Sequence, residues 1–190
     1  MRIIAGEFRS RRLVFPRSKK TRPMTDRAKE TIFNILGDTV SGARVLDLFA
    51  GSGSMGLEAL SRGATEVVFV ESGVWAHKTI RQNLEALGLE KRASVLTNNF
   101  FRSVVALEKK GGKFSIIFLD PPYNQGLARK GLIRLDHSGI LAPFAKIIVH
   151  HSRQEKLPES LRNLESYREK RIGQACLSFL SCTGAKTAKE

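Results

Sequence analysis

Asp120-Pro121-Pro122-Tyr123 closes the apolar run Phe114-Ser115-Ile116-Ile117-Phe118-Leu119. These residue types in this order suit a rigid pocket for a flat, amine-bearing base. The carboxylate and a proline carbonyl can accept hydrogen bonds from an exocyclic amine, and the ring can stack on the base face. Prolines fix φ and carry no N–H, so the turn holds its acceptors in one direction. An Asp-Pro-Pro turn also suits the end of an ordinary core strand, so this segment alone leaves both readings open.

A second constellation lies upstream, in Val45-Leu46-Asp47-Leu48-Phe49-Ala50-Gly51-Ser52-Gly53-Ser54-Met55-Gly56. An apolar strand running into a glycine-rich turn and then a helix is the geometry that binds nucleotide-like cofactors, because the backbone can pass close to the ligand. Twenty residues past Gly51, the apolar run Glu66–Val70 ends in Glu71, a carboxylate placed to take both hydroxyls of a ribose. By spacing alone, Gly51, Gly53 and Gly56 also read as a dinucleotide fingerprint. Asp47, four residues before the first glycine, and Asp120-Pro-Pro-Tyr123 separate the two. A dinucleotide site has no use for an amine-gripping pocket, whereas an S-adenosylmethionine site that methylates amines needs both parts.

The elements that must position these residues follow from the apolar periodicity. Strands are expected near 43–48, 66–71, 93–97, 114–119 and 145–150, with helices near 54–62, 75–87, 100–109 and 125–135 between them. Gly63, Gly88 and Gly111-Gly112 stand where helix C-caps belong. Two last segments, near 164–171 and 174–181, lack an intervening helix and should pair antiparallel. Arg2–Gly6 and Arg11–Phe15 read as two short strands of an N-terminal hairpin. Asp26 is expected as the N-cap of a helix whose apolar positions Ala28, Ile32, Ile35 and Leu36 share a face. The result is an α/β, doubly wound, mostly parallel seven-stranded sheet, with Asp47, Glu71 and Asp120 beyond strand C-termini, where such sheets bind ligands.

Composition narrows the partners. The 190 residues suit one domain with a short appendage. No apolar run approaches the roughly 20 residues of a membrane span, and the N-terminus does not read as a secretory signal. Cys176 and Cys182, the two cysteines, fall on one face of a late strand and are expected as buried reduced thiols, which places the protein in the cytoplasm. Net charge is +14. Residues 1–30 alone hold ten Lys and Arg against three acids, a net +7, the footprint of a polyanion-binding surface. A methyl-transfer site beside a basic arm points to nucleic acid. The four histidines hold no metal-ligand spacing, because neighbours such as His150 and His151 point to opposite faces of a strand. No metal is assigned. Trp75 is read as core or helix-face filler rather than an adenine platform.

Taken together, the chain resembles the bacterial 16S ribosomal RNA guanine-N2 methyltransferases of the RsmD family. The matching stretches are Arg2–Gly6, Arg22-Pro23-Met24-Thr25-Asp26-Arg27 through Asn34, Asp47–Gly53, Gly56–Gly63, Asp120–Tyr123 and Leu157-Pro158. The resemblance implies a Rossmann-like class I methyltransferase domain over 25–183, a basic RNA-binding hairpin and loop over 1–24, and a polar tail over 184–190. It implies methylation of one guanine, position 966 in the usual bacterial numbering, on an assembled or partly assembled small subunit, by an enzyme expected to be monomeric. The cofactor would lie along Asp47, Phe49, Ala50, Gly51, Ser52, Gly53, Glu71 and Asn99. Asp120, Pro121, Pro122 and Tyr123 would hold the base, and Arg9, Arg11, Arg12, Lys19, Lys20, Arg22 and Arg27 the RNA. Asn99 stands where such enzymes commonly carry an Asp, and its side-chain carbonyl can accept from an adenine amine in the same way. His150 stands where relatives more often have Glu.

Rival classes are a DNA adenine-N6 methyltransferase, which would share the Asp-Pro-Pro-Tyr pocket, and a noncatalytic RNA-binding assembly factor. The first usually adds a sizeable target-recognition region, for which the chain has no room. The second needs neither Glu71 nor Asp120. A nicotinamide oxidoreductase is the weakest rival.

Overall fold

The computed structural model describes residues 1–15 and 24–183. Seven strands form one sheet in the order β3-β2-β1-β4-β5-β7-β6. The chain divides into two compact units, Met1–Phe100 and Phe101–Glu190.

In the first unit, β1 (Arg44–Leu48), β2 (Glu66–Val70) and β3 (Ala93–Leu96) alternate with α2 (Ser54–Ser61) and α3 (Val74–Leu87), after α1 (Asp26–Leu36). All three strands are parallel, with Val45 opposite Val67 and Val67 opposite Ala93. β1 and β2 read as nearly unbroken apolar runs because both their faces are covered, and Val45, Leu46, Leu48, Val67 and Phe69 are buried. Gly56 is what lets α2 lie down on β2, since any Cβ there would run into the Phe69 ring.

The second unit holds β4 (Phe114–Leu119), α5 (Leu127–Asp136), β5 (Leu141–Ser152), β6 (Leu164–Ile172) and β7 (Ala175–Cys182), with nearly all of α4 (Phe100–Lys109) ahead of them. β4 and β5 are parallel, while β7 pairs antiparallel with both β5 and β6. The closing antiparallel pair is as expected. The fifth strand is longer than expected, beginning at Leu141. Phe144 adopts a positive φ of 59° and the pairing with β4 shifts register between Phe114 and Ile116, so an early piece of ladder precedes the apolar stretch that marked the strand. Cys176 and Cys182 are buried free thiols.

Two local expectations are corrected. Thr25, not Asp26, caps α1, its hydroxyl accepting from the Ala28 amide at 3.2 Å, and Asp26 begins the helix. The N-terminal hairpin pairs through a single bridge, Arg2 with Arg12, rather than through two strands. The reason is competition. Glu58 of α2 takes the amides of Ile4 and Ala5 at 2.8 and 3.0 Å, and Ser61 takes those of Glu7 and Phe8. Gly6 packs so tightly on Ser61 that a Cβ would overlap its carbonyl. The hairpin is thereby fastened to the first unit by its backbone, leaving arginine side chains outward. No helix among the described residues is long and apolar enough to cross a membrane.

Candidate active site

In the first unit, β1 delivers its chain into a tight turn at Phe49-Ala50-Gly51-Ser52-Gly53. Phe49 (φ 61°) and Gly53 (φ 81°) are both left-handed, and the Gly53 amide closes the turn on the Ala50 carbonyl at 2.8 Å. Glu71, one residue past β2, organises this turn. Its two oxygens accept from the Gly51 amide at 2.9 Å and the Gly73 amide at 2.7 Å. A carboxylate has about four acceptor positions, so two remain for further donors such as ribose hydroxyls. Among the described residues the space above Gly51 is open, with nothing within 4 Å of where a Cβ would stand. An acceptor with spare capacity beside an open glycine backbone fits the ribose and methionine portions of S-adenosylmethionine.

The other expected cofactor residues are placed as follows. Asp47 lies within β1 rather than beyond its end, because the strand runs on to Leu48. It is 2% exposed and accepts from the Gly56 amide at 2.9 Å, which fixes the start of α2 directly after the turn. Ser52 is buried, and its carbonyl accepts from the Asn83 side chain of α3 at 3.2 Å. Ala50 is half-buried, its amide donating to Val70. Phe49 stacks on Phe100, with centroids 5.7 Å apart and planes at 19°. Asn99 is exposed, with its amide on the Asn98 side chain at 2.9 Å. Trp75 is not core: it is 77% exposed at the start of α3, with the Lys78 ammonium 5.3 Å from its ring.

In the second unit, β4 ends on Asp120. Pro121 is buried, Pro122 exposed, and Tyr123 37% exposed. The group that ties them together is one that sequence reasoning left without a role. His150 Nδ1 lies 2.7 Å from Asp120 Oδ1, and His150 Nε2 lies 2.7 Å from the Tyr123 hydroxyl. The two rings meet edge to face at 5.3 Å and 77°. The signal was the parallel register: Leu119 pairs with Val149, so the residues that follow on each strand emerge side by side. Glu155 closes the neighbouring loop, accepting from the Gly126 amide at 3.2 Å.

Of the expected RNA-binding residues, Arg9, Arg11 and Arg12 are exposed on the N-terminal hairpin, and Arg27 is exposed on α1. Arg2 pairs with Asp26 at 3.4 Å. Lys19, Lys20 and Arg22 lie outside the described residues.

The family model described as Conserved hypothetical protein 95 matches residues 1–181. A Bacillus subtilis protein named putative rRNA methyltransferase YlbH is 40% identical over 173 residues, covering 91% of this chain and 94% of its own length. The ribosomal RNA small subunit methyltransferase D of Escherichia coli K12 is 38% identical over 174 residues, covering 92% and 86% respectively. Among solved structures, one described as putative methyltransferase yhhF from Escherichia coli shares the fold at a TM-score of 0.86 and 36% identity, covering 96% of this chain and 97% of that one.

Proposed function

We propose a reaction for this chain, which belongs to the Conserved hypothetical protein 95 family together with small-subunit ribosomal RNA methyltransferases. It transfers a methyl group from S-adenosylmethionine to ribosomal RNA, specifically to the exocyclic N2 of one guanine, position 966, in an assembled or partly assembled small subunit. It acts as a monomer in the cytoplasm. The names of its relatives support ribosomal RNA as the substrate. The observation that carries the amine as the target is Asp120, a half-buried carboxylate at the end of β4 with one oxygen committed to His150 and flanked by Pro121 and Tyr123.

S-adenosylmethionine supplies a methyl group already activated on a sulfonium. What the chain must add is placement, which can contribute on the order of 7–11 kcal/mol. Glu71 and the backbone at Gly51, Ser52 and Gly53 hold the cofactor, with Asp47 acting through the turn that it anchors. The guanine N2 is a poor nucleophile because its lone pair is delocalised into the ring. Asp120 and the Pro121 carbonyl accept from its two N–H groups, favouring a pyramidal nitrogen with the lone pair free to react. Tyr123 stacks on the base, worth roughly 1–3 kcal/mol. A base must leave its stack to enter such a pocket, which costs least in a loop. Arg9, Arg11, Arg12 and Arg27 hold phosphates, as would Lys19, Lys20 and Arg22.

Labelled S-adenosylmethionine offered to undermethylated small subunits, to naked 16S RNA and to DNA, with mapping of the product, tests this reading. Label on one guanine N2, lost in Asp120→Ala while cofactor affinity falls only modestly, is the expected result. Label on DNA adenine instead would move the protein to the rival enzyme class, and no transfer to any nucleic acid would leave a binding role.

A further inference from the structure

We propose that His150 is the positioning residue of the amine pocket, clamping Asp120 and Tyr123 with the two nitrogens of one ring. The inference rests on the roles of Asp120 and Tyr123 proposed above and adds a part that the Asp-Pro-Pro-Tyr motif does not contain.

The hydrogen-bond chemistry fixes the direction of the clamp. An ionised carboxylate only accepts, so the ring nitrogen 2.7 Å from Asp120 Oδ1 carries the hydrogen. In the neutral imidazole Nε2 is then an acceptor, and the Tyr123 hydroxyl at 2.7 Å donates to it. One oxygen of Asp120 is occupied and the other is left for an amine N–H. A carboxylate without such a partner turns about two side-chain torsions; this one is held at a single orientation.

The same ring sets the aromatic. Edge-to-face contact at 77° and a bonded hydroxyl fix the plane of Tyr123 from its rim. His150 acts from behind: its side chain is 13% exposed, against 27% for Asp120. It therefore aligns the two groups rather than touching the base. Two strands supply the arrangement, since the side chain reaches Asp120 only while β4 and β5 keep the Leu119–Val149 register.

Three variants separate this role from packing. His150→Phe keeps a ring and removes both hydrogen bonds. His150→Asn puts an amide N–H close to the Nδ1 position and so restores the bond to Asp120. Tyr123→Phe removes only the hydrogen bond from the hydroxyl. Methyl transfer to undermethylated small subunits is measured with each. His150→Phe should lower kcat about 10- to 100-fold with KM for S-adenosylmethionine unchanged, the scale of a misplaced reacting group. His150→Asn should recover most of that loss, and Tyr123→Phe should lose less than His150→Phe. Full activity in His150→Phe, or a His150→Asn variant no better than His150→Phe, overturns the proposal. Should His150→Phe fail to fold, His150→Asn alone decides, against wild type: a rate down by the full 10- to 100-fold overturns it. Asp120→Ala is run alongside. Wild-type turnover there sinks the pocket itself, whereas an inactive Asp120→Ala beside an unaffected His150→Phe sinks only the role of His150.

Discussion

The Lys29 ammonium lies 3.6 Å from Glu58 Oε2, and neither side chain exposes any surface. Burial lowers the Lys29 pKa, and the charge of Glu58 opposes that shift. Lys29 also donates to the Arg2 carbonyl at 2.7 Å, and Glu58 accepts from Arg62 at 2.8 Å and from two hairpin amides. One pair of charges thus fastens the N-terminal segment to α1 and α2. Glu58→Gln turns an amide NH2 toward these donors and leaves Lys29 buried without its counter-charge. The expected cost is about 3–5 kcal/mol, read as a lower urea midpoint. Faster hydrogen exchange at Ile4 and Ala5 should accompany it.

Glu71 carries a separate prediction because it serves the turn and, in the proposed reading, the ligand. Glu71→Gln can keep at most one of its two backbone bonds in good geometry. Affinity for S-adenosylmethionine should fall about tenfold to a hundredfold, the range of a charged hydrogen bond at ~1.5–3 kcal/mol. Calorimetric titration measures it, and an unchanged affinity would remove Glu71 from the cofactor site.

The hairpin arginines predict a salt dependence. Replacing Arg9, Arg11 and Arg12 with Gln should weaken binding to small-subunit RNA across sequences. The log–log salt slope should fall by about one unit for each phosphate no longer neutralised. Binding isotherms at several salt concentrations give the slope directly. An unaltered slope would make the hairpin a bystander in RNA binding.

His151, unlike its neighbour His150, faces the inside of the second unit. Its Nδ1 donates to the Ser152 carbonyl and its Nε2 accepts from the Ser178 hydroxyl, each at 2.9 Å. Burial lowers its pKa below the ordinary 6.5. The unfolded chain therefore takes up a proton near 6.5 while the folded chain resists until lower pH. Between those points the unfolded state binds more protons, so stability falls as pH falls, by at most about 1.4 kcal/mol per unit. Denaturant unfolding from pH 7.5 to 5.5 should show this loss, and His151→Gln should flatten it.

Most of the architecture was legible because parallel strands buried on both faces, such as Val67–Val70, stand out as apolar runs between glycine-capped helices. Asp47, Glu71 and Asp120 were legible for the same reason, as polar residues at or just past the ends of those runs. What escaped depended on neighbours distant in sequence. The pairing of His150 with Asp120 spans 30 positions and follows from strand register. The shrunken hairpin follows from capture of its amides by Glu58 and Ser61. At the start of α1, Thr25 and Asp26 are both good caps, and the choice fell to the residue whose hydroxyl reaches Ala28. Of the two places expected for Trp75, core or helix face, it takes the second, exposed on the first turn of α3.

The long-range fastening of the hairpin also dictates an order of assembly. The amide of Ile4 waits for a side chain 54 positions later, and that of Val14 for Asn83, 69 positions later. The hairpin's own bonds and its contacts with α1 can form earlier, but these two amides have no native partner until α2 and then α3 have been synthesised. Loop closures of this span come late and slowly, so the docking of the basic segment onto α2 and α3 is among the last features of the first unit to form.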